Sequence, residues 1–197
     1  MKGAGGEAVK IHLADGSFYV LHAEVFARSG LDQGSALDAR TLATLLTRSE
    51  RVFARRRALA LLSRAAHTRR GLARKLAARG FSAAAVRHAL ARMTELGYLD
   101  DRAFADAWLR LHAEPGTRGW KALYRGLLGR GVPRALAEQA LDDLYPSDVE
   151  LAHALRLAEG LSAEQAVRRL GARGFRSRAI AAVLREIRRT DRRAPGE

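Results

Sequence analysis

The chain has 197 residues, 48% of them hydrophobic and 28% charged, with aromatics at only 6%, no cysteine and a net charge of +14. Enough apolar material is present for packed cores, which excludes wholesale disorder, and the lack of cysteine excludes disulfides and thiolate metal sites. The dominance of alanine and leucine favours helices packed through small side chains over a β-sandwich, and the positive charge favours a polyanion or an acidic protein surface as partner.

The first residues, "MKGAGGEAVK", lack the apolar core of a signal peptide. No apolar run approaches the ~20 residues that span a bilayer, so a soluble cytoplasmic protein with no membrane partner is expected. Two short β-prone runs follow, Val9–Leu13 and Phe18–Leu21, around the hairpin-turn signal Asp15-Gly16. His12, Ser17 and Tyr19 alternate with apolar neighbours, the pattern of a half-buried ribbon. "HAEVFARSGL" (His22–Leu31) predicts a short helix stopped near Gly30. From Ser35 to Ala66 there is no glycine or proline. Ser35 is placed to cap that stretch, with Asp38 three residues on. Leu42, Leu45, Leu46 and Phe53, then Leu59, Leu62 and Ala66, keep helical spacing, which predicts one long helix or two abutting ones with a break near Arg48–Arg51.

Three segments then align without gaps: "KLAARGFSAAAVRHAL" (Lys75–Leu90), "GLLGRGVPRALAEQAL" (Gly126–Leu141) and "RLGARGFRSRAIAAVL" (Arg169–Leu184). Each carries leucine second and last and Arg-Gly in the middle. In the first, Thr68 can cap a helix to about Arg79, Gly80 suits the left-handed residue that ends it, and Ser82 can cap the next helix, which Gly97 stops. Gly131 with Val132 and Pro133, and Gly174 with Phe175, repeat the corner. Each pair is preceded by another helix: Tyr98–Ala113, capped by Asp100 or Asp101 and ended by Pro115-Gly116, and Ser147–Gly160, opening with a Ser147/Glu150 capping box. A second box is predicted at Ser162/Gln165. The expected fold is mainly α: three tandem three-helix repeats in an elongated curved array, preceded by a small β-hairpin and helix element, since stacking lets each repeat bury a face on the next. The boundaries are 1–49 for the N-terminal element, 50–99, 100–146 and 147–190 for the repeats, and 191–197 for a flexible tail.

Catalytic chemistry has no candidate residues. His12, His22, His67, His88, His112 and His153 form no metal-ligand spacing, and no phosphate-binding loop follows a strand. Asp100-Asp101 and Asp142-Asp143 read as a helix cap and a solvated face. Trp108 and Trp120 read as core. A non-enzyme without cofactor or metal is expected.

The charge is concentrated. From Arg51 to Thr94 there are twelve Arg or Lys and no Asp or Glu, whereas Asp100–Pro146 holds seven of each sign and Ser147–Arg189 nine basic and five acidic residues. Arg69, Arg70, Arg74, Lys75 and Arg79 surround the non-core side of one short helix. Arg69 and Arg70 sit in its first turn, where the macrodipole disfavours cations. Arg55, Arg56 and Arg57 add a cluster upstream, and Arg87 and Arg92 lie downstream. Such a surface supplies affinity and steering, not sequence readout.

The stretch Ala58–Arg110 resembles the bacterial RecX regulators of the RecA recombinase. The likeness is carried by "LARKLAARGF" (Leu72–Phe81), "GYLDD" (Gly97–Asp101) and "FADAW" (Phe104–Trp108), with "GRGV" (Gly129–Val132) and "GARGF" (Gly171–Phe175) where the later repeats carry the same turn. The resemblance implies three three-helix repeats and a non-enzymatic regulator in the groove of the RecA nucleoprotein filament. There it limits extension or promotes disassembly, so regulating recombination, coprotease activity and the SOS response. Partners so implied are the filament and, weakly, single- and double-stranded DNA; a monomer is expected. Binding is expected from the basic residues above together with Arg110, Arg118, Lys121 and Arg125 of the second repeat. Gly80, Phe81, Gly97, Tyr98, Leu99, Asp100, Phe104, Trp108, Gly131 and Gly174 are expected to be turns, caps and core. Two departures stand out: many relatives carry a denser basic run after the position of Trp108, where this chain has only Arg110 and His112 before Glu114-Pro115, and often an acidic residue near Gly71–Leu72, where this chain has Arg-Arg-Gly. The competing reading is a helical-repeat protein that binds nucleic acid without RecA.

Overall fold

The computed structural model describes residues 8–193. Its elements, in chain order, are β1 (Ala8–His12), β2 (Phe18–His22), α1 (Ala23–Ala27), α2 (Ala39–Leu62), α3 (Arg69–Ala77), α4 (Ala83–Glu95), α5 (Asp101–His112), α6 (Trp120–Arg130), α7 (Arg134–Leu144), α8 (Ser147–Ala158), α9 (Ala163–Ala172) and α10 (Ser177–Arg193). The fold is therefore mainly helical, with a two-stranded sheet at its N-terminal end. The helix α10 continues to Arg193, three residues into the segment expected as a tail, and 194–197 lie outside the described residues. The chain divides into two compact units, one ending at Leu99 and the other beginning at Asp100.

In the first unit, β1 and β2 pair antiparallel with Ile11 opposite Tyr19 and His12 opposite Phe18. The alternation of β1 is as expected, Val9 and Ile11 inward, Lys10 and His12 outward. That of β2 is reversed: Phe18 and Val20 are exposed, while Tyr19 is half-buried and Leu21 fully buried. The Lys10 ammonium lies 3.7 Å from the centroid of the exposed Phe18 ring, a cross-strand cation–π contact. His22 ends the ribbon and caps α1, its Nδ1 accepting from the Glu24 N–H. The helix α1 stops at Ala27, short of Gly30.

The helix α2 is continuous through Arg48–Arg51 and has its N-cap at Asp38, whose carboxylate accepts from the Thr41 N–H at 2.8 Å. Ser35 does not cap it; its hydroxyl accepts from the Asp32 N–H in the preceding turn. A carboxylate three residues nearer the helix wins because it reaches the third free N–H of the first turn. One half of α2 serves the hairpin: the buried Ser49 hydroxyl accepts from the His22 N–H. The other half serves the first repeat, where Ala54 and Ala58 pack with Leu72, Leu76, Ala85, Ala89, Met93 and Leu99.

The aligned positions are core positions. Leu76, Leu127 and Leu170, the second residue of each segment, are fully buried. The glycines that follow adopt φ +85°, +93° and +80° at Gly80, Gly131 and Gly174, a region costly for any side chain. At the second and third corners the next N–H closes back on the helix, Val132 to the Leu127 carbonyl and Phe175 to the Leu170 carbonyl, both at 3.1 Å. Ser82, Asp100 and Ser162 cap α4, α5 and α9, the last in a full capping box with Gln165.

The second unit holds two three-helix groups, α5–α7 and α8–α10, each with its own cluster of buried side chains. They are clasped through backbone. The Gly119 N–H donates to the Arg173 carbonyl and the Lys121 N–H to the Gly174 carbonyl, both at 2.9 Å. The expected Ser147/Glu150 capping box is absent: Pro146 occupies the N-cap of α8 with no side-chain bond. Glu150 is fully buried and accepts instead from the Trp120 N–H at 3.1 Å, the Arg176 N–H at 2.9 Å and the Arg176 Nε. Pro146 has no N–H to offer at the N-cap, and three donors from elsewhere in the unit satisfy the charge that a buried carboxylate cannot leave unpaired.

Candidate partner-binding surfaces

The basic stretch becomes a defined surface in α3 and α4. Thr68 caps α3, its hydroxyl accepting from the Gly71 N–H at 2.9 Å. Leu72 and Leu76 take the inner face, which leaves Arg69, Arg70, Arg74, Lys75 and Arg79 exposed. Arg70 and Arg74 are one turn apart, as are Lys75 and Arg79. Arg69 donates to the Thr94 hydroxyl at 2.8 Å and so ties α3 to the end of α4, and Arg79 folds onto the Lys75 carbonyl. On α4, Arg87 is exposed and Arg92 pairs with Glu95 at 3.1 Å. The carboxylate that α2 contributes nearby, Glu50, is engaged by the N–H and hydroxyl of Ser82, both at 2.7 Å. Among the described residues, Arg70, Arg74, Lys75 and Arg87 have no carboxylate partner. His67 Nε2 lies 3.4 Å from the Lys75 ammonium, and burial, then that cation, holds its pKa below the usual imidazole value.

The Arg55–Arg57 cluster is not one patch. Consecutive helical residues point about 100° apart, and the three arginines separate accordingly. Arg56 is exposed, Arg57 is half-buried with its Nε enclosed and unpartnered, and Arg55 lines a cleft between α1, α2 and α4. That cleft measures about 310 Å³ and brings Arg55 together with Arg28, Arg48 and Arg51, none of which the sequence reading nominated. The spacing of Arg48, Arg51 and Arg55 was a usable signal; the approach of Arg28 was not, because it depends on how α1 docks.

In the second unit, Arg110, Arg118, Lys121 and Arg125 are all exposed. Arg118 is held through its backbone, its carbonyl accepting from the fully buried Tyr145 hydroxyl at 2.9 Å. Lys121 and Arg125, one turn apart on α6, line a second cleft of about 430 Å³ against Gly174, Phe175 and Ile180. Elsewhere in this unit Arg102 bonds both Asp106 and Asp143.

The motif residues fall mostly inside. Leu99 and Trp108 are buried and Phe81 and Phe104 half-buried, Gly97 turns at φ +73°, and Asp100 accepts from the Arg102 and Ala103 N–H groups. Trp108 stacks on His112 and lies against Gly126, with Arg130 over its ring. Trp120 is half-buried, stacked on Tyr124 and covered by Arg176. Tyr98 departs from the expectation. Its N–H closes the turn on the Met93 carbonyl, but the residue is 59% exposed, whereas Val132 and Phe175, which follow the glycines of the second and third corners, are buried. Among the described residues no group of side chains is arranged to hold a metal ion, and no helix is long and apolar enough to cross a membrane.

Comparison with known proteins matches this architecture. A family model described as RecX, first three-helix domain, fits residues 54–93, the segment that carries the basic surface. The regulatory protein RecX of Thermus thermophilus is 41% identical over 119 residues, covering 60% of this chain and 80% of the relative. That of Halorhodospira halophila is 34% identical over 146 residues, covering 70% and 90%. A crystal structure of a regulatory protein RecX superposes with a TM-score of 0.68 over 89% of this chain and 94% of its own, and that of RecX from Lactobacillus salivarius with 0.65 over 71% and 97%. Both structures are only 21% identical, so they speak to the fold alone. The sequence relatives carry the assignment, and by them this chain belongs to the RecX family of regulatory proteins.

Proposed function

We propose that this protein modulates RecA, mainly as an inhibitor. It binds in the groove of the RecA–DNA filament, limits extension or promotes disassembly, and so regulates recombination, coprotease activity and the SOS response. The observation that supports this reading is the α3–α4 surface, where Arg70, Arg74, Lys75 and Arg87 stand without carboxylate partners in a member of a regulatory family. Unneutralised charge of one sign attracts a polyanion or an acidic protein face at long range, with a strength that falls as salt rises. It reads backbone and shape, not bases. Both targets exist in a nucleoprotein filament. The protein acts without catalysis, as a cytoplasmic monomer. RecA-catalysed ATP hydrolysis on single-stranded DNA, measured with substoichiometric protein, is expected to fall; no inhibition at any ratio with the cognate recombinase overturns the proposal.

The second reading, nucleic-acid binding independent of RecA, is favoured by the same surface taken alone. Direct binding of free DNA across a salt series separates the two. A protein whose only target is nucleic acid binds tightly at physiological salt with a steep slope, whereas a filament regulator binds free DNA weakly.

A further inference from the structure

The cleft between α1, α2 and α4 is a second basic site, built differently from the α3 surface. Arg48, Arg51 and Arg55 recur at i, i+3 and i+7 and share one face of α2. Arg28, which follows α1, and His88 of α4 complete the rim. The one carboxylate there, Glu24, is already held by Arg28 at 3.2 Å. Among the described residues Arg48, Arg51 and Arg55 have no carboxylate partner. Like charges one turn apart destabilise a helix, and an ordinary solvated face intersperses both signs. Val25 and Val52 form an apolar wall beside these arginines in an open cleft of about 310 Å³, the small end of ligand pockets, with Arg48 and Arg51 exposed and Arg55 half-buried. An apolar wall strengthens whatever charge interaction forms beside it.

We infer that this cleft binds a phosphate group of about two negative charges, as in a phosphate monoester or polyphosphate. Four guanidiniums against one carboxylate leave three positive charges for the ligand. A carboxylate ligand brings one charge and two oxygens, which a single guanidinium fork satisfies; a terminal phosphate brings three oxygens that several forks share. An internal phosphodiester carries a single charge per phosphate and belongs to a strand that needs an extended groove, whereas this cleft measures only about 310 Å³. The ligand is either a free nucleotide or the phosphorylated end of a strand, and both present the same chemistry to Arg48, Arg51 and Arg55. The inference is independent of the RecA reading, since the site is tested with this protein alone.

Titration calorimetry of the full chain with inorganic pyrophosphate at fixed ionic strength tests it. Saturable one-to-one binding is expected, weakened about ten- to hundredfold by Arg51→Gln, the loss of a charge-assisted bond, and unchanged by Arg74→Gln on α3. Glu24→Gln removes the competing carboxylate and frees Arg28, so it tightens binding, a gain that a misfolded variant cannot imitate. Displacement of pyrophosphate by ATP identifies a nucleotide ligand; preference for a 5′-phosphorylated over a 5′-hydroxyl oligonucleotide identifies a strand end. Absence of saturable binding, equal loss in Arg51→Gln and Arg74→Gln, or no response to Glu24→Gln overturns the inference.

Discussion

The carboxylate of Glu150 holds Arg176 twice, by its backbone N–H and by its guanidinium, while a third bond reaches the Trp120 N–H. One fully buried charge thereby ties α8 to the start of α6 and to the residue preceding α10. Removing it leaves Arg176, whose side chain is 18% exposed, without its counter-charge. Glu150→Ala is expected to cost the second unit about 3–5 kcal/mol, and Glu150→Gln less, because its carbonyl still accepts. Both tryptophans, Trp108 and Trp120, lie in that unit, so urea unfolding followed by tryptophan fluorescence reads it alone. A change below ~1 kcal/mol for the alanine variant contradicts the clamp.

Glycines in this chain are not equivalent. A Cβ at Gly119 falls 2.3 Å from the Cα and N of Phe175, and backbone cannot rotate aside. At Gly129, inside α6, a Cβ meets nothing within 4 Å and the backbone is helical. Gly129→Ala is expected to stabilise by about 0.5–1 kcal/mol; Gly119→Ala is expected to destabilise by at least ~1–3 kcal/mol by prising the α9–α10 corner from the start of α6. Thermal unfolding of the two variants is expected to move in opposite directions.

Charge reversal on α3 separates binding from folding. Arg74 and Lys75 are exposed, so Arg74→Glu with Lys75→Glu is expected to change stability by only about 0.5 kcal/mol. Inhibition of RecA ATP hydrolysis is expected to weaken strongly. Equal loss of inhibition and of thermal stability points to a structural role for these residues.

Acidification is expected to weaken both units. Burial holds the pKa of His67 and of His153 below the usual imidazole value, with Lys75 and Arg156 adding to it. The folded state therefore favours the neutral rings. As pH falls below about 6.5, the unfolded chain takes up protons that the folded chain refuses, so stability present above that pH is lost on the way down. In the second unit the ring of His153 meets Tyr145 edge-on and its buried Nδ1 has no partner. Urea midpoints read by tryptophan fluorescence are expected to fall between pH 7.5 and 5.5, and His153→Phe to flatten that fall. Midpoints that rise on acidification contradict the assignment.

The legible features are those with local causes. Thr68, Ser82, Asp100 and Ser162 cap where a short polar side chain precedes a helical run, and Gly80, Gly131 and Gly174 turn where Arg-Gly interrupts one. Both depend on a few neighbouring residues, so spacing reveals them. Where several partners compete for one residue, spacing misleads. Ser147–Glu150 has the form of a capping box, yet Glu150 serves donors 30 and 26 residues away. Phe18 and Val20 are apolar, yet the outward face of β2 is theirs.

The linear order of residues settles the helical character of this chain, its three matching corners and the acid-free stretch from Arg51 to Thr94, since each follows from composition and near-neighbour spacing. It does not settle which arginines stand together. Arg55, Arg56 and Arg57 are adjacent in sequence and part company around α2, while Arg28 and Arg55, 27 positions apart, line one cleft. Helical rotation separates neighbours by about 100° per residue, and packing of α1 on α2 brings distant charges together, so the basic content is written in the chain and its arrangement into sites arises on folding.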